Sequence, residues 1–240
     1  MKKAILLIFL IILSLNISWN WPNHQILVER VYYTLDFKTQ QELNITLLKE
    51  GAIAPDKVFH DNVRHSYPRS YAQTKIWLEK ASDSYDKKDF DNASYFFGIA
   101  SHYISDTFAA PHNVQKEPPK LHLEFESVKY KPKTKCTGNK IIQDLNYSLF
   151  EATQGKKEDW SEWVNTRNDE IPKKGIDQSL ELLYPLAIQI FNSSCSIIET
   201  EIIKIPFKIY NKKSLILLSI VILVLFLYFI KKKNKFKIRF

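Results

Sequence analysis

Glycine is scarce in this chain, five residues in 240. That scarcity, beside long stretches of helix-favouring residues, argues against a turn-rich β architecture and for a mostly helical protein. Cysteine is scarcer still: Cys136 and Cys195 are the whole inventory, so at most one intrachain disulfide can form. Outside the cell the two can pair, although sequence alone does not show whether their Cα atoms come close enough. No internal repeat appears, and no low-complexity segment outside the ends, which excludes a repeat array. Two further absences are positional. No histidine follows His122, and no acidic residue occurs from 204 to 240.

The missing acids explain the charge. The formal net charge is +8, which by itself suggests a nucleic-acid partner. Ten of the positive charges, from Lys204 to Arg239, lie in that acid-free stretch, and Lys2 and Lys3 add two at the start. The part between therefore carries a formal −4. The basicity belongs to the ends, and the middle is mildly acidic.

The ends read as targeting and anchoring segments. Residues 1–18 have a basic start, an apolar run from Ala4 to Leu15 and then small or polar residues, the form of a secretory signal. The alternative is an uncleaved signal anchor, but the run is shorter than the ~20 residues a span needs. Residues 214–230 form a 17-residue stretch without charge, about 26 Å long as a helix at ~1.5 Å per residue. Lys212, Lys213 and Lys231 can snorkel from its ends. The expected organisation is a signal at 1–18, a helical domain at 19–200, a basic stem at 201–213, a transmembrane helix at 214–230 and a basic cytoplasmic tail at 231–240. That makes a single-pass protein of the cell membrane with its domain outside.

Between the ends, the 3.6-residue periodicity predicts several helices. One opens at Pro22 with Ile26, Leu27, Val31 and Leu35 as its stripe. A second covers 39–50 and stops at Gly51. A third spans 70–86 with Tyr71, Ile76, Trp77 and Tyr85 toward the core, and a fourth 89–110, capped by Asp89 or Asn92. Its Gly98 and alanines suit the centre of a bundle. Further helices are expected over 140–153, 160–168 and from Gly175 to about Thr200. Residues 51–70 read as an ordered loop.

All six histidines fall between positions 24 and 122. A lone helical histidine is ordinarily packed or solvated, but five that each have a nearby carboxylate or stand at a helix start point to metal, since imidazole is the commonest zinc donor from proteins. His102 and Asp106 lie four residues apart, one helical turn, and so share a face; His112 follows where Pro111 ends the helix. His122 and Glu126 repeat the four-residue spacing. Asp56, His60, Asp61 and His65 crowd the preceding loop.

The pattern Trp19-x4-His24, Asp56 with His65-Ser-Tyr-Pro, His102-x3-Asp106-x5-His112 and His122-x3-Glu126 resembles the zinc-dependent phospholipase C superfamily, which also includes single-strand-type zinc nucleases. The resemblance covers residues 19–126. It implies an all-α, multi-helix bundle holding three zinc ions: one on Asp56, His65, His102 and Asp106, a second on His112, His122 and Glu126, and a third on Trp19, His24 and the bridging Asp106. Trp19 would ligate as the mature N-terminus, freed by cleavage after Ser18. An α-amino group has a pKa of ~7.7–8, so a cation can displace its proton near neutrality. His60 remains the alternative to His65, and Trp21 to Trp19. The implied activity is zinc-dependent phosphodiester hydrolysis by direct water attack, with Asp56 as proton acceptor and membrane phospholipid as substrate. The alternatives are a 3′-nucleotidase or single-strand nuclease on the same metals, for which Tyr67, Tyr71 or Tyr130 could stack bases, and a non-catalytic zinc-binding surface protein. Nucleic acid is a partner only in the nuclease reading, and no protein partner is implied.

Overall fold

The computed structural model describes residues 22–132, 135–136 and 141–196. The signal at 1–18, Trp19 and Trp21, the stem, the 214–230 span and the tail all lie outside the described residues. All of the described residues belong to one unit, bounded at Ile197. The fold is all-α among the described residues, relieved only by an isolated antiparallel bridge between Leu35 and Cys195. No helix among them is long and apolar enough to cross a membrane.

The element order is α1 (Pro22–Thr34), α2 (Phe37–Glu42), α3 (Ile45–Gly51), α4 (Ala54–Lys57), α5 (Arg69–Asp86), α6 (Phe90–Phe108), a 3₁₀ turn (Ala110–Asn113), α7 (Pro119–Glu126), α8 (Leu145–Ala152), α9 (Lys156–Thr166) and α10 (Glu170–Ile190). Helix α6 is the axis of the bundle: α5, α3, α10, α1 and α8 all pack against it. From Phe97 to Phe108 every residue of α6 is buried. A helix apolar all round belongs in an interior. Here that interior also holds His102 and Asp106.

Four expectations need correction. Residues 51–70 are not loop throughout: Ala54–Lys57 form α4, with Pro55 in its first turn, and this helix carries Asp56. The single helix over 39–50 is two, because Asn44 leaves the helical region and caps α3, its side chain accepting from the Thr46 and Leu47 backbone N–H groups. Ile76 is exposed; the buried stripe of α5 runs through Thr74, Leu78 and Ala81, which the four- and three-residue steps place on one face. The last helix begins at Glu170 and ends at Ile190. Pro172 falls in its first turn, where the missing N–H costs nothing.

Helix α3 reaches α6 through two glycines. A methyl added to Gly98 would run into the Leu48 carbonyl oxygen and stand 3.0 Å from the Gly51 Cα. This close approach brings the Ala52 carbonyl within 2.9 Å of His102 Nδ1, one turn along α6. Cys136 and Cys195 form a disulfide with their Cα atoms 5.9 Å apart. It ties the segment after α7 to the strap after α10, where Ser196 N–H also donates to the Thr34 carbonyl.

Gly98→Ala tests the helix contact with a clear sign. In an open helix the change stabilises by about 0.5–1 kcal/mol. Here the collision should dominate and destabilise by about 2 kcal/mol. Chemical denaturation measures it, and a stabilised variant would contradict the close packing.

Candidate metal centre

Four imidazoles surround one carboxylate. Asp106, only 2% exposed, directs Oδ2 at His65 Nδ1 (2.5 Å) and His102 Nε2 (3.0 Å), and Oδ1 at His24 Nε2 and His112 Nε2 (3.6 Å each). The helical step between His102 and Asp106 supplies one pair directly. Helix α1 brings His24 and the loop before α5 brings His65. The 3₁₀ turn, locked by Asn113 Nδ2 donating to the Thr107 and Ala109 carbonyls, brings His112.

A second focus lies beside it. Glu126 Oε1 faces His122 Nε2 at 2.9 Å and His112 Nε2 at 3.1 Å. Helix α7 is seated by Phe125, buried in a small core with Trp160 and Trp163, and by Asn23, whose amide donates to the Glu126 and Val128 carbonyls. Half-buried Asp56 completes the set, its Oδ1 3.5 Å from His102 and 3.6 Å from His65.

Neighbouring hydrogen bonds fix which nitrogen four of the five rings offer. Ser105 spends its hydroxyl proton on the His102 carbonyl, so it must accept from His24 Nδ1–H, at 2.8 Å. His24 Nε2 therefore turns a lone pair toward Asp106. His102 Nδ1–H donates to the Ala52 carbonyl and His122 Nδ1–H to Glu117 (3.1 Å), leaving their Nε2 atoms inward. His65 is reversed: Nε2–H donates to the Asp61 carbonyl, and Nδ1 faces the site. Outer partners of this kind orient histidine ligands in metal sites.

The charges around the centre set how each ring is protonated before metal binds. Burial, and next the charge on His102, lower the His24 pKa, which keeps that ring neutral. Burial also opposes protonation of His102, but the Asp106 and Asp56 carboxylates outweigh it and raise that pKa well above the usual range. For Asp106 burial favours the neutral acid, yet His102, His112 and His24 hold its pKa well below the ordinary carboxylate value. At His122 burial is overcome by Glu126 and Glu117, and the pKa is pushed up to about 9.

This donor set fits zinc. Imidazole nitrogen and carboxylate oxygen are its ordinary ligands, and burying so many ionisable groups together is costly unless a cation compensates them. Three groups have donor atoms all within 4.8 Å of one another: His24, Asp56 and His102; His65, Asp106 and His112; and His112, His122 and Glu126. The last is the set that the resemblance implies for one ion. The other two cut across the implied assignment, placing Asp56 with His24 and joining His112 to Asp106. The structure brings His24, Asp56, His65, His102, Asp106, His112, His122 and Glu126 together. His60 is exposed on the loop tip.

Four polar residues of the centre escaped the sequence reading as site residues: Asn23, Asp61, Ser105 and Glu117. Asp61 alone left a usable signal, its four-residue spacing from His65. Two measurements follow. Glu117→Gln should weaken zinc binding about tenfold by loosening His122, read by competition with a chelating dye. Because a raised imidazole pKa means a proton must leave before metal binds, zinc affinity should fall as pH drops below about 9 and loading near neutrality should release protons; pH-independent affinity would contradict this.

Residues 23–177 match the family described as zinc dependent phospholipase C, a stretch that covers more than half of the chain and holds all eight converging residues. No curated protein matches the chain. A helical bundle whose imidazoles and carboxylates gather around one buried aspartate accords with that match, and the chain belongs to the zinc-dependent phospholipase C family.

Proposed function

We propose that this protein is a zinc-dependent hydrolase of phospholipid head-group phosphodiesters. The observation that carries the reading is that the two Asp106 oxygens face different imidazoles, Oδ2 toward His65 and His102 and Oδ1 toward His24, as a carboxylate shared between two ions would. We assign three zinc ions: one to Asp56, His65, His102 and Asp106, one to His112, His122 and Glu126, and one to His24, Asp106 and Trp19, whose part rests on the sequence alone.

Zinc bound there would polarise the phosphate oxygens and lower the pKa of an attacking water. The chain's own residues do the rest. Asp56 is the one carboxylate of the Asp106 cluster that is partly open to solvent, with 35% of its side chain exposed. It accepts the water proton as the water oxygen bonds to phosphorus. The bond from phosphorus to the glycerol oxygen breaks, and that oxygen takes up a proton, giving diacylglycerol and a phosphorylated alcohol. The outer hydrogen bonds that the imidazoles donate to Ser105, Ala52, Glu117 and Asp61 hold the rings in place, so little reorganisation accompanies the reaction. A signal at 1–18 and a span at 214–230 would keep the domain at the outer membrane surface and raise the local concentration of lipid.

Phosphatidylcholine and single-stranded DNA, offered to the zinc-loaded protein, separate the substrate classes: cleavage of the lipid is expected, and cleavage of DNA alone would favour a nuclease. Asp106→Asn should lose more bound zinc than Glu126→Gln, because it would strip a bridge and not a terminal ligand; equal losses by elemental analysis would contradict the bridging role.

A further inference from the structure

The loop of residues 57–64, between Asp56 and His65, is firmly held yet leaves its apolar side chains in solvent. Val58 and Val63 are 58% and 59% exposed, and Phe59 is 39% exposed where it stacks on Trp77. Single exposed apolar residues are ordinary; three on one short loop at a site's edge are not.

The loop is not slack. Asp61 turns inward and accepts from the Val63 and Arg64 backbone N–H groups and, at 2.8 Å, from the Tyr103 hydroxyl. The Val58 and Phe59 N–H groups both donate to the Ala54 carbonyl, and His60 takes a left-handed φ of 50°. The polar residue is thus pinned inside while Val58, Phe59 and Val63 project. Lys57, Arg64 and Arg69 are exposed around them. Arg69 is steadied by the Val63 carbonyl and Arg64 by Asp61, which is buried and is the only acid from 57 to 69. Residues 57–69 therefore carry three exposed cations against one buried acid, a net positive charge beside apolar tips.

That combination suits the headgroup region of a bilayer, where apolar tips reach the acyl boundary and cations meet lipid phosphates. We propose that the 57–64 loop docks the metal centre onto an anionic phospholipid surface, with Val58, Phe59 and Val63 inserted. The loop is bracketed by Asp56 and His65 of the cluster, so a bilayer gripped by its tips is held close to the metal centre. The choice of occupant rests on the phospholipid reading above, but the two fail separately.

The test uses the full chain with an environment-sensitive dye on Val63→Cys, or on Lys87→Cys just past the opposite end of α5. Vesicles contain phosphatidylcholine with about 30% phosphatidylglycerol, a typical anionic surface, and lipids quenching from their acyl chains. Quenching at position 63 and little at 87, weakened by salt, is expected; no quenching at 63, or equal quenching at both, overturns the proposal and leaves the loop to a protein partner. In unlabelled protein, Val58→Asp with Val63→Asp should lower the ratio of vesicle turnover to soluble short-chain phospholipid turnover about tenfold, the loss expected from removing two inserted side chains. An unchanged ratio also overturns it. Quenching without any phospholipid turnover would uphold the docking surface and sink the enzymatic reading; turnover without quenching would do the reverse.

Discussion

A buried carboxylate with four imidazoles around it is the constraint on which the rest of this molecule depends. Asp106 is almost wholly shielded from water, and an isolated ionised carboxylate in such a place would be strongly destabilising. It is tolerated because His24, His65, His102 and His112 approach from four separate elements. Each of those elements must therefore be fixed to within a fraction of an ångström. Helix α6 has to lie at the centre of the bundle for its polar pair to be reached from all sides. The glycine contact between α3 and α6 follows from the same need, since only backbones that nearly touch let a main-chain carbonyl orient His102.

The second layer converts proximity into chemistry. A histidine offers either ring nitrogen, and a centre with mixed choices binds metal poorly. Ser105, the Ala52 and Asp61 carbonyls and Glu117 remove the ambiguity by occupying the outward nitrogen. Asp61 links the two scales, because the residue whose carbonyl sets the His65 ring also pins the loop that carries Val58 and Val63 outward.

Much of this was legible in the sequence, and the limits have physical causes. Helix α1 could be read from its periodic stripe and α6 from its capping residue and small side chains, and so could the one-turn pairs His102/Asp106 and His122/Glu126, because local geometry alone places those side chains together. The break at Asn44 was missed because a capping residue inside a periodic run competes with the apolar pattern. Ile76 was put on the wrong face because the stripe of α5 includes threonine and alanine, which hydrophobicity undervalues. Which imidazole stands beside which carboxylate depends on how α1, the 3₁₀ turn and the 57–65 loop dock, so no spacing encodes it. Ser105, Glu117 and Asn23 are single polar residues whose roles exist only in three dimensions. The pairing of Cys136 with Cys195 likewise needed the strap after α10 to be seen in place.

We propose that this gathering of donors is a multi-zinc centre. Elemental analysis of the full-length mature protein, with its first residue determined by N-terminal sequencing, tests it most directly. Three zinc ions per chain and Trp19 as the first residue are expected; no more than trace zinc after loading with excess metal would contradict a multi-zinc centre.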